Sequence, residues 1–243
     1  MIQRTNDFGQ PIGPALPDWR ACARPSRISL SGEFCRLEPL HADQHASELY
    51  AAISEDIGYK NWTYLSRDAP TDFNHYRDWL AEMAASEDPL FYAILDQRSG
   101  AAVGIAAYLR IDPANRVIEV GHLNFSPRLQ RTAAATEAMF LMMRHVFDEL
   151  GYRRYEWKCD SLNAPSRTTA QRLGFQYEGT FRQALVYKGR NRDSAWFSII
   201  DRDWPAIKNA FEQWLTNDNF DASGKQRNSL SRLMQQAPTR QKE

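Results

Sequence analysis

The chain has 243 residues, of which 43% are hydrophobic and 12% aromatic, enough for one large α/β domain with extensions or for two small domains. Lysine and arginine together number 30, as do aspartate and glutamate, so no whole-chain charge attracts nucleic acid or an anionic membrane. Three scattered cysteines without a CxxC spacing, no signal-peptide core and no bilayer-spanning apolar run predict a soluble, cytoplasmic protein.

Turn-forming residues dominate positions 1–32, with apolar anchors between them, so we expect an arm that packs on the body. Apolar periodicity then predicts a strand, two helices and a meander of three strands, in the ranges 34–40, 42–54, 71–85, 90–95, 102–110 and 116–125.

The second half of the chain alternates strands and helices. The predicted elements are a helix at 133–150, a strand at 155–159, a helix at 163–174, two hairpin strands at 175–187 and 193–200, and a last helix at 204–215. This order predicts a single domain over 33–215 of the α/β (α+β mixed-sheet) class, with six or seven strands and helices on both faces. Residues 216–243 are polar and locally basic, which predicts a flexible tail.

The junction between the strand at 116–125 and the helix at 133–150 is the most informative segment. A polar turn at 128–132 leads into a helix start of small residues, which leaves backbone N–H groups free at the helix end. Such an end binds anions and is suited to a diphosphate. The segment alone leaves open which phosphate-bearing ligand binds there.

Three local patterns, in this order and spacing, carry a resemblance. They are Gln130-Arg131-Thr132-Ala133-Ala134-Ala135 followed by Thr136-Glu137-Ala138, then Asn163-Ala164-Pro165-Ser166 leading to Leu173-Gly174-Phe175, and last Lys188-Gly189-Arg190 before Asp193. Over roughly 34–215 the chain resembles the GNAT superfamily of acyl-CoA N-acyltransferases, and looks most like its RimJ/RimL branch of ribosomal-protein N-terminal acetyltransferases. One position departs from the family pattern, because Ala133 stands where the first turn glycine is expected. Alanine resists positive φ there but costs little if the residue is helical.

The resemblance implies acetyl-CoA as co-substrate and no metal. Its diphosphate is expected on the amides of the turn, with Arg128 and Arg131 adding positive charge, and its pantetheine arm along the end of the preceding strand. A backbone N–H near Leu123 is expected to polarise the thioester carbonyl. The implied cofactor-binding residues are Leu123, Asn124, Phe125, Arg128, Gln130, Arg131, Thr132, Ala133, Ala134, Ala135, Asn163 and Ser166.

Catalysis requires a proton acceptor, because amines of pKa ~8 to ~10.4 arrive largely charged. By resemblance Glu119 is the general base, acting through water; the alternative is an outward, solvated glutamate. His122 should alternate to the opposite face of the strand and serve packing. Ser166 and Tyr187 are rival proton donors to the departing thiolate, although Asn163 and Ser166 can also simply cap their helix.

The expected reaction is acetyl transfer to a primary amine by direct attack in a ternary complex. The acceptor is a protein or peptide N-terminal α-amine, or a small aminoacyl or antibiotic-type amine. The alternative is a non-catalytic acyl-CoA-binding or interaction protein that retains the fold, supported mainly by Ala133. We expect a monomer or homodimer with no nucleic-acid or membrane partner.

His41 and His45 look like a surface pair rather than metal ligands. Four aromatic residues are expected to serve the core or an acceptor wall: Trp62, Tyr64, Tyr76 and Trp79.

Overall fold

A computed structural model describes residues 4–222 and 224–236. The described strands are β1 (Arg4–Thr5), β2 (Pro11–Ile12), β3 (Leu30–Ser31), β4 (Cys35–Pro39), β5 (Leu90–Asp96), β6 (Ala102–Asp112), β7 (Val117–Phe125), β8 (Arg154–Asp160), β9 (Gln176–Tyr187) and β10 (Arg190–Ile200). The described α-helices are α1 (Ala42–Ile53), α2 (Phe73–Ala85), α3 (Ala133–Arg144), α4 (Ala164–Arg172), α5 (Trp204–Trp214) and α6 (Leu230–Gln236). Short helical turns occur at Lys60–Trp62, His145–Glu149 and Asn217–Asn219.

Eight strands form one mixed sheet in the order β3-β4-β5-β6-β7-β8-β10-β9. All neighbours are antiparallel except β7 and β8, which are parallel and are connected through α3. The predicted mixed α/β fold is confirmed, with eight strands in the sheet instead of the predicted six or seven. The additional strand is Leu30–Ser31, which pairs with β4 although its residues read as part of the arm.

Helices cover both faces of the sheet and divide the core into two layers. On one face, α3 and α5 pack on apolar side chains such as Val120 of β7 and Tyr155 of β8. On the other face, α1 and α2 pack on β4, β5 and β6 through residues such as Leu49 and Ile105. We call the latter the α1–α2 face. No described helix has the combination of length and apolar character that crossing a membrane requires.

The N-terminal arm contacts the turn between β6 and β7. Trp19 donates its indole N–H to the carbonyl of Ala114 at 2.9 Å. The guanidinium groups of Arg116 and Arg153 lie 4.7 and 5.4 Å from the Trp19 ring. Cation–π contacts of this kind stabilise by about 0.5–1 kcal/mol each at exposed sites, so Trp19 holds this part of the arm on the domain.

The segment after α5 packs on the body, which differs from the flexible tail that its composition predicts. Leu230 is completely buried in the main core, and Phe220 contacts the rings of Phe34 and Trp214 at 5.6 and 5.1 Å. A few apolar side chains spaced along a polar sequence are enough to dock it. The basic residues Arg240 and Lys242 of the predicted tail lie outside the described residues.

Candidate active site

The parallel strands β7 and β8 pair over only four residues. Positions 117–120 of β7 pair with 154–157 of β8. Beyond these residues the two strands no longer pair and no described strand lies between them, although β7 stays paired with β6 and β8 with β10. We call this opening the wedge. The inner edge of β7 at Leu123, Asn124 and Phe125 faces it. An extended ligand can therefore add to β7 as a further strand.

A β-bulge at His122 lies where the wedge begins. The register between β6 and β7 shifts there, and His122 adopts a φ of 51°. The extra residue resets the alternation of side chains. The imidazole lies 5.1 Å from the ring of Phe91, on the α1–α2 face. Glu119 lies on the same face. It pairs with Leu109 of β6, and Leu109 shares a face with Ala107, two residues earlier, which belongs to the core layer of the α1–α2 face. The prediction that His122 and Glu119 lie on opposite faces is wrong.

Residues 126–132 form the turn between β7 and α3. The N–H groups of Leu129 and Gln130 both donate to the carbonyl of Ser126 at 3.0 Å. Leu129 is buried against β6, where a Cβ on Gly104 would come within 2.6 Å of its side chain. Glycine at 104 therefore lets Leu129 anchor the turn to the sheet.

The start of α3 decides which amides are available to a ligand. Thr132 caps the helix by accepting the N–H of Ala135 at 3.1 Å. The first two amides of the helix, those of Ala133 and Ala134, make no hydrogen bond within the described residues. The positive φ of the turn falls on Arg131 at 62°, whereas Ala133 is already helical. Alanine at 133 therefore carries no left-handed strain.

The polar side chains of the turn divide into free and engaged groups. Arg128 donates to Glu55 Oε1 at 2.9 and 2.6 Å, and this contact lowers the pKa of Glu55. Gln130 donates its side-chain amide to the carbonyl of Phe125 at 2.8 Å. Arg131 is exposed and forms no ion pair within the described part of the chain. Of the two predicted cations, only Arg131 has an uncompensated charge.

Two buried polar atoms at the outer end of the wedge lack partners. Asn124 Nδ2 and Ser126 Oγ make no hydrogen bond within the described residues. Buried polar atoms are almost always paired. Together with the free amides of Ala133 and Ala134, they give this end of the wedge the capacity to bind a polar ligand.

Glu119 is buried and ion-paired rather than solvated. Its Oε2 lies 2.8 Å from Arg110 Nη1 and 2.8 Å from Lys158 Nζ. Lys158 also lies 2.8 Å from Glu156 Oε2 and 3.7 Å from the centre of the Trp196 ring. These contacts form a row of alternating charges across the α1–α2 face, which holds Glu119 in one place.

The first turn of α4 lies beside Trp157 of β8, on the face of the sheet opposite the α1–α2 face. Asn163 caps the helix by accepting the N–H of Ser166 at 3.1 Å. Ser166 Oγ accepts the indole N–H of Trp157 at 3.0 Å. Ser166 can still donate its own hydroxyl proton, and the sulfur of Cys159 lies within hydrogen-bond reach of it. Burial raises the pKa of the neighbouring Cys159 thiol, so Cys159 stays protonated.

Tyr187 is tied to an aspartate that the sequence analysis did not single out. Its hydroxyl donates to Asp160 Oδ2 at 2.8 Å, and Asp160 Oδ1 accepts the N–H of Leu162 at 2.9 Å. Burial, and then the contact with Asp160, raise the pKa of Tyr187. Its proton is therefore directed at Asp160 rather than at the wedge.

Sequence reasoning also missed Lys158 and Arg110. A usable signal existed in β8, where charged residues occupy every second position of a strand with apolar residues between them: Arg154, Glu156, Lys158 and Asp160. Charges at period two on a central strand indicate a polar face within the protein. Arg110 gives no comparable signal, because a bulge with a φ of 48° aims it at Glu119.

The segment 60–68 crosses over the ends of the central strands. Tyr64 donates its hydroxyl to the carbonyl of Leu162 at 3.2 Å. From the hairpin between β9 and β10, Lys188 Nζ donates to the carbonyl of Trp62 at 2.7 Å and lies 3.3 Å from Asp68. The segment therefore connects the α1–α2 layer to the hairpin and borders the site.

A cavity of about 430 Å³ lies behind this segment. Trp62, Tyr76 and Trp79 form its aromatic side, with adjacent ring centres 5.5–5.6 Å apart. Its other lining residues are Ser66, Arg67, Asp68, Pro70, His75 and Lys188. The aromatic residues thus serve the core and the cavity wall at once.

The predicted surface pair of histidines is wrong for His45, which is buried, whereas His41 is exposed. His45 Nδ1 accepts the N–H of His41 at 3.1 Å, and its Nε2 lies 3.2 Å from Glu38. Among the residues that the structure describes, no cluster of three or more His, Cys, Asp or Glu side chains is placed to hold a metal ion.

Comparison with known proteins agrees with this geometry. A family model described as "Acetyltransferase (GNAT) domain" matches residues 35–176. YdaF of Bacillus subtilis strain 168, which has the provisional name of a ribosomal N-acetyltransferase, is 26% identical over 180 residues, covering 71% of this chain and 92% of YdaF.

Solved structures give closer matches. A GCN5-related N-acetyltransferase from Brucella melitensis is 47% identical, with a TM-score of 0.89 over 90% of this chain and 100% of that one. A GNAT-family protein from Chromobacterium violaceum is 41% identical, with a TM-score of 0.75 over 81% and 98% of the two chains. Similarity to YdaF supports the resemblance to the RimJ/RimL branch. The chain belongs to the GNAT family of acetyltransferases and is an N-acetyltransferase.

Proposed function

We propose that the protein transfers the acetyl group of acetyl-CoA to a primary amine by direct attack in a ternary complex, with no covalent enzyme intermediate. The observation that carries this proposal is the wedge between β7 and β8, which leads straight to the two free amides of α3. One ligand can then pair with an open strand edge and place its diphosphate on a helix end.

The cofactor contacts are proposed as follows. The amides of Ala133 and Ala134 and the charge of Arg131 bind the diphosphate. The edge of β7 from Leu123 to Phe125 pairs with the amides of the pantetheine arm. Asn163 can donate its side-chain amide to the same arm, because only its oxygen is engaged in capping. Gln130 and Arg128 support the site indirectly, since each holds another part of the protein.

The chemical roles follow from the positions of the polar groups. We assign to the N–H of Leu123 the role of polarising the thioester carbonyl as negative charge develops on its oxygen. Glu119 is the candidate base suggested by resemblance, acting through water. Ser166 is favoured over Tyr187 as hydrogen-bond donor to the departing thiolate, because Tyr187 already donates to Asp160.

Two acceptor classes remain in the proposal. The provisional name of YdaF favours a protein N-terminal α-amine. The cavity beside segment 60–68, at about 430 Å³, is within the size range of small-molecule sites and equally suits a small amine. The helical conformation of Ala133 removes the main support for a non-catalytic binding protein.

The test is a panel of amines that contains peptides with free N-termini and small aminoacyl compounds. Release of free thiol from acetyl-CoA and the mass of the acetylated product are measured together. Transfer to at least one primary amine supports the proposal. Thiol release without any acetylated product, or a covalent acetyl-enzyme detected by mass, contradicts direct transfer.

The role of Glu119 is tested with Glu119→Gln against Glu156→Gln. Both residues contact Lys158 at 2.8 Å, so loss of either carboxylate disturbs the same row of charges. If Glu119 assists proton removal, its variant loses rate most at low pH and the control does not. Equal pH profiles for the two variants remove Glu119 from the reaction.

A further inference from the structure

His122 occupies a position that its neighbours in the chain make important. It immediately precedes Leu123, whose N–H is the proposed donor to the thioester oxygen, and it follows the last residues that pair β7 with β8. The bulge turns its ring to the α1–α2 face, which also carries Glu119 and borders the proposed acceptor cavity. An amine that approaches the thioester from this face meets the imidazole.

The imidazole is also chemically free. It is partly exposed and makes no hydrogen bond within the described residues, whereas Glu119 contacts two cations at 2.8 Å. Burial, and then the charge of Arg110, lower the pKa of His122, which keeps the ring neutral near pH 7. A neutral imidazole has a nitrogen lone pair that can accept a proton.

The charges around His122 come from three strands. Arg110 on β6 disfavours a second positive charge, and Lys158 on β8 is neutralised by its two glutamates. Glu119 on β7 places a negative charge on the same face. Phe91 on β5 contributes only its ring. A proton taken up by His122 is therefore held briefly and returned to solvent.

We infer that His122 is the catalytic residue that accepts the proton of the attacking amine; this rests on the proposed acetyl transfer. The neutral form of the amine attacks, and as its nitrogen bonds to the carbonyl carbon one N–H proton moves to the free imidazole nitrogen. The C–S bond then breaks, the departing thiolate accepts a hydrogen bond from Ser166 and takes a proton from water, and His122 returns the proton of the amine to water, so no net charge is left on the protein. Glu119 remains as a counter-charge to the imidazolium.

The simpler role for His122 is packing against Phe91, and the test separates the two. His122→Phe keeps an aromatic ring and removes both nitrogens. Phe91→Leu disturbs the same contact and leaves the imidazole intact. Both are assayed with the amine that the wild-type protein acetylates fastest.

General acid–base groups typically contribute 10²–10⁴-fold, so we expect kcat of His122→Phe to fall by about 100-fold or more, with KM for acetyl-CoA nearly unchanged. Phe91→Leu should retain most of its kcat. In His122→Gly, which suits the positive φ, added imidazole should restore part of the rate. Near wild-type kcat in His122→Phe, or an equal loss in Phe91→Leu, overturns the inference.

Folding of each variant is checked by the rise in Tm that CoA produces. If His122→Phe fails this check, His122→Asn replaces it, because asparagine tolerates the left-handed conformation. A wild-type protein that acetylates no amine overturns the proposed function and this inference with it. An active wild type whose rate depends on Glu119 but not on His122 overturns this inference alone.

Discussion

Glu137 of α3 should be costly to neutralise, because its buried carboxylate binds a distant part of the backbone. Its carboxylate is 5% exposed and accepts three backbone N–H groups, from Glu33 at 2.8 Å, Phe34 at 2.7 Å and Cys35 at 2.8 Å. A Cβ on Gly32 would overlap the carboxylate at 2.3 Å. The glutamate therefore ties the turn between β3 and β4 to the helix that begins at the proposed diphosphate site.

The cost of Glu137→Gln can be worked from these contacts. If the amide oxygen replaces Oε2, the bonds from Phe34 and Cys35 survive but each weakens by about 1 kcal/mol on losing the charge. The amide nitrogen then faces the N–H of Glu33, which is left without an acceptor, and this costs about 1–3 kcal/mol of the free energy of unfolding. Relief of carboxylate desolvation offsets part of this total. We expect a loss of about 3 kcal/mol, or about 6–12 °C in Tm for a chain of this size.

The assay is urea unfolding followed by circular dichroism, with Glu212→Gln as the control. The Glu212 side chain is 53% exposed, and its one ion pair within the described residues is with Lys208 at 3.9 Å, so its variant should change stability by less than about 0.5 kcal/mol. A loss below about 1 kcal/mol in Glu137→Gln would show that the three bonds are replaced by water, and would refute the reasoning.

Four further predictions follow from the same contacts. Ala133→Asp places a carboxylate about 5 Å from the diphosphate, a repulsion of about 3 kcal/mol per charge at a dielectric of about 20, so calorimetry should show CoA affinity about 100-fold weaker. Arg131→Gln should weaken CoA binding and reduce its salt dependence, whereas Arg128→Gln, which loses a charge already compensated, should do neither. Burial lowers the pKa of His122 below its ordinary 6.5, so below that pH the unfolded chain binds more protons than the folded one and the free energy of unfolding falls. Measured by urea unfolding between about pH 7.5 and about pH 5.5, this fall should be smaller in His122→Phe than in the wild type. Leu230→Ala should cost about 2–4 kcal/mol in urea unfolding, and an unchanged midpoint would contradict the burial of α6.

The pattern Ala-Thr-Glu-Ala shows that a sequence match can identify a family branch without indicating what its residues contact. It identified the branch from residues 135–138, yet nothing local indicates that Glu137 binds the turn at 33–35, about 100 positions earlier. Thr136 likewise accepts two N–H groups from Arg172 on α4, at 3.2 and 3.1 Å. Such contacts join elements that are distant in sequence, so propensity and periodicity cannot reveal them.

The amino-acid sequence by itself determined the order of the main elements between residues 34 and 215, the turn before α3 and the cap at Asn163. These features depend on residues within a few positions of one another, where periodicity and capping chemistry act. Only the tertiary structure decided the face of His122, the ion pairs of Glu119, the partner of Tyr187 and the docking of Leu230. Each of these depends on a bulge or on a contact between distant segments, because side-chain alternation holds only while strand register is regular.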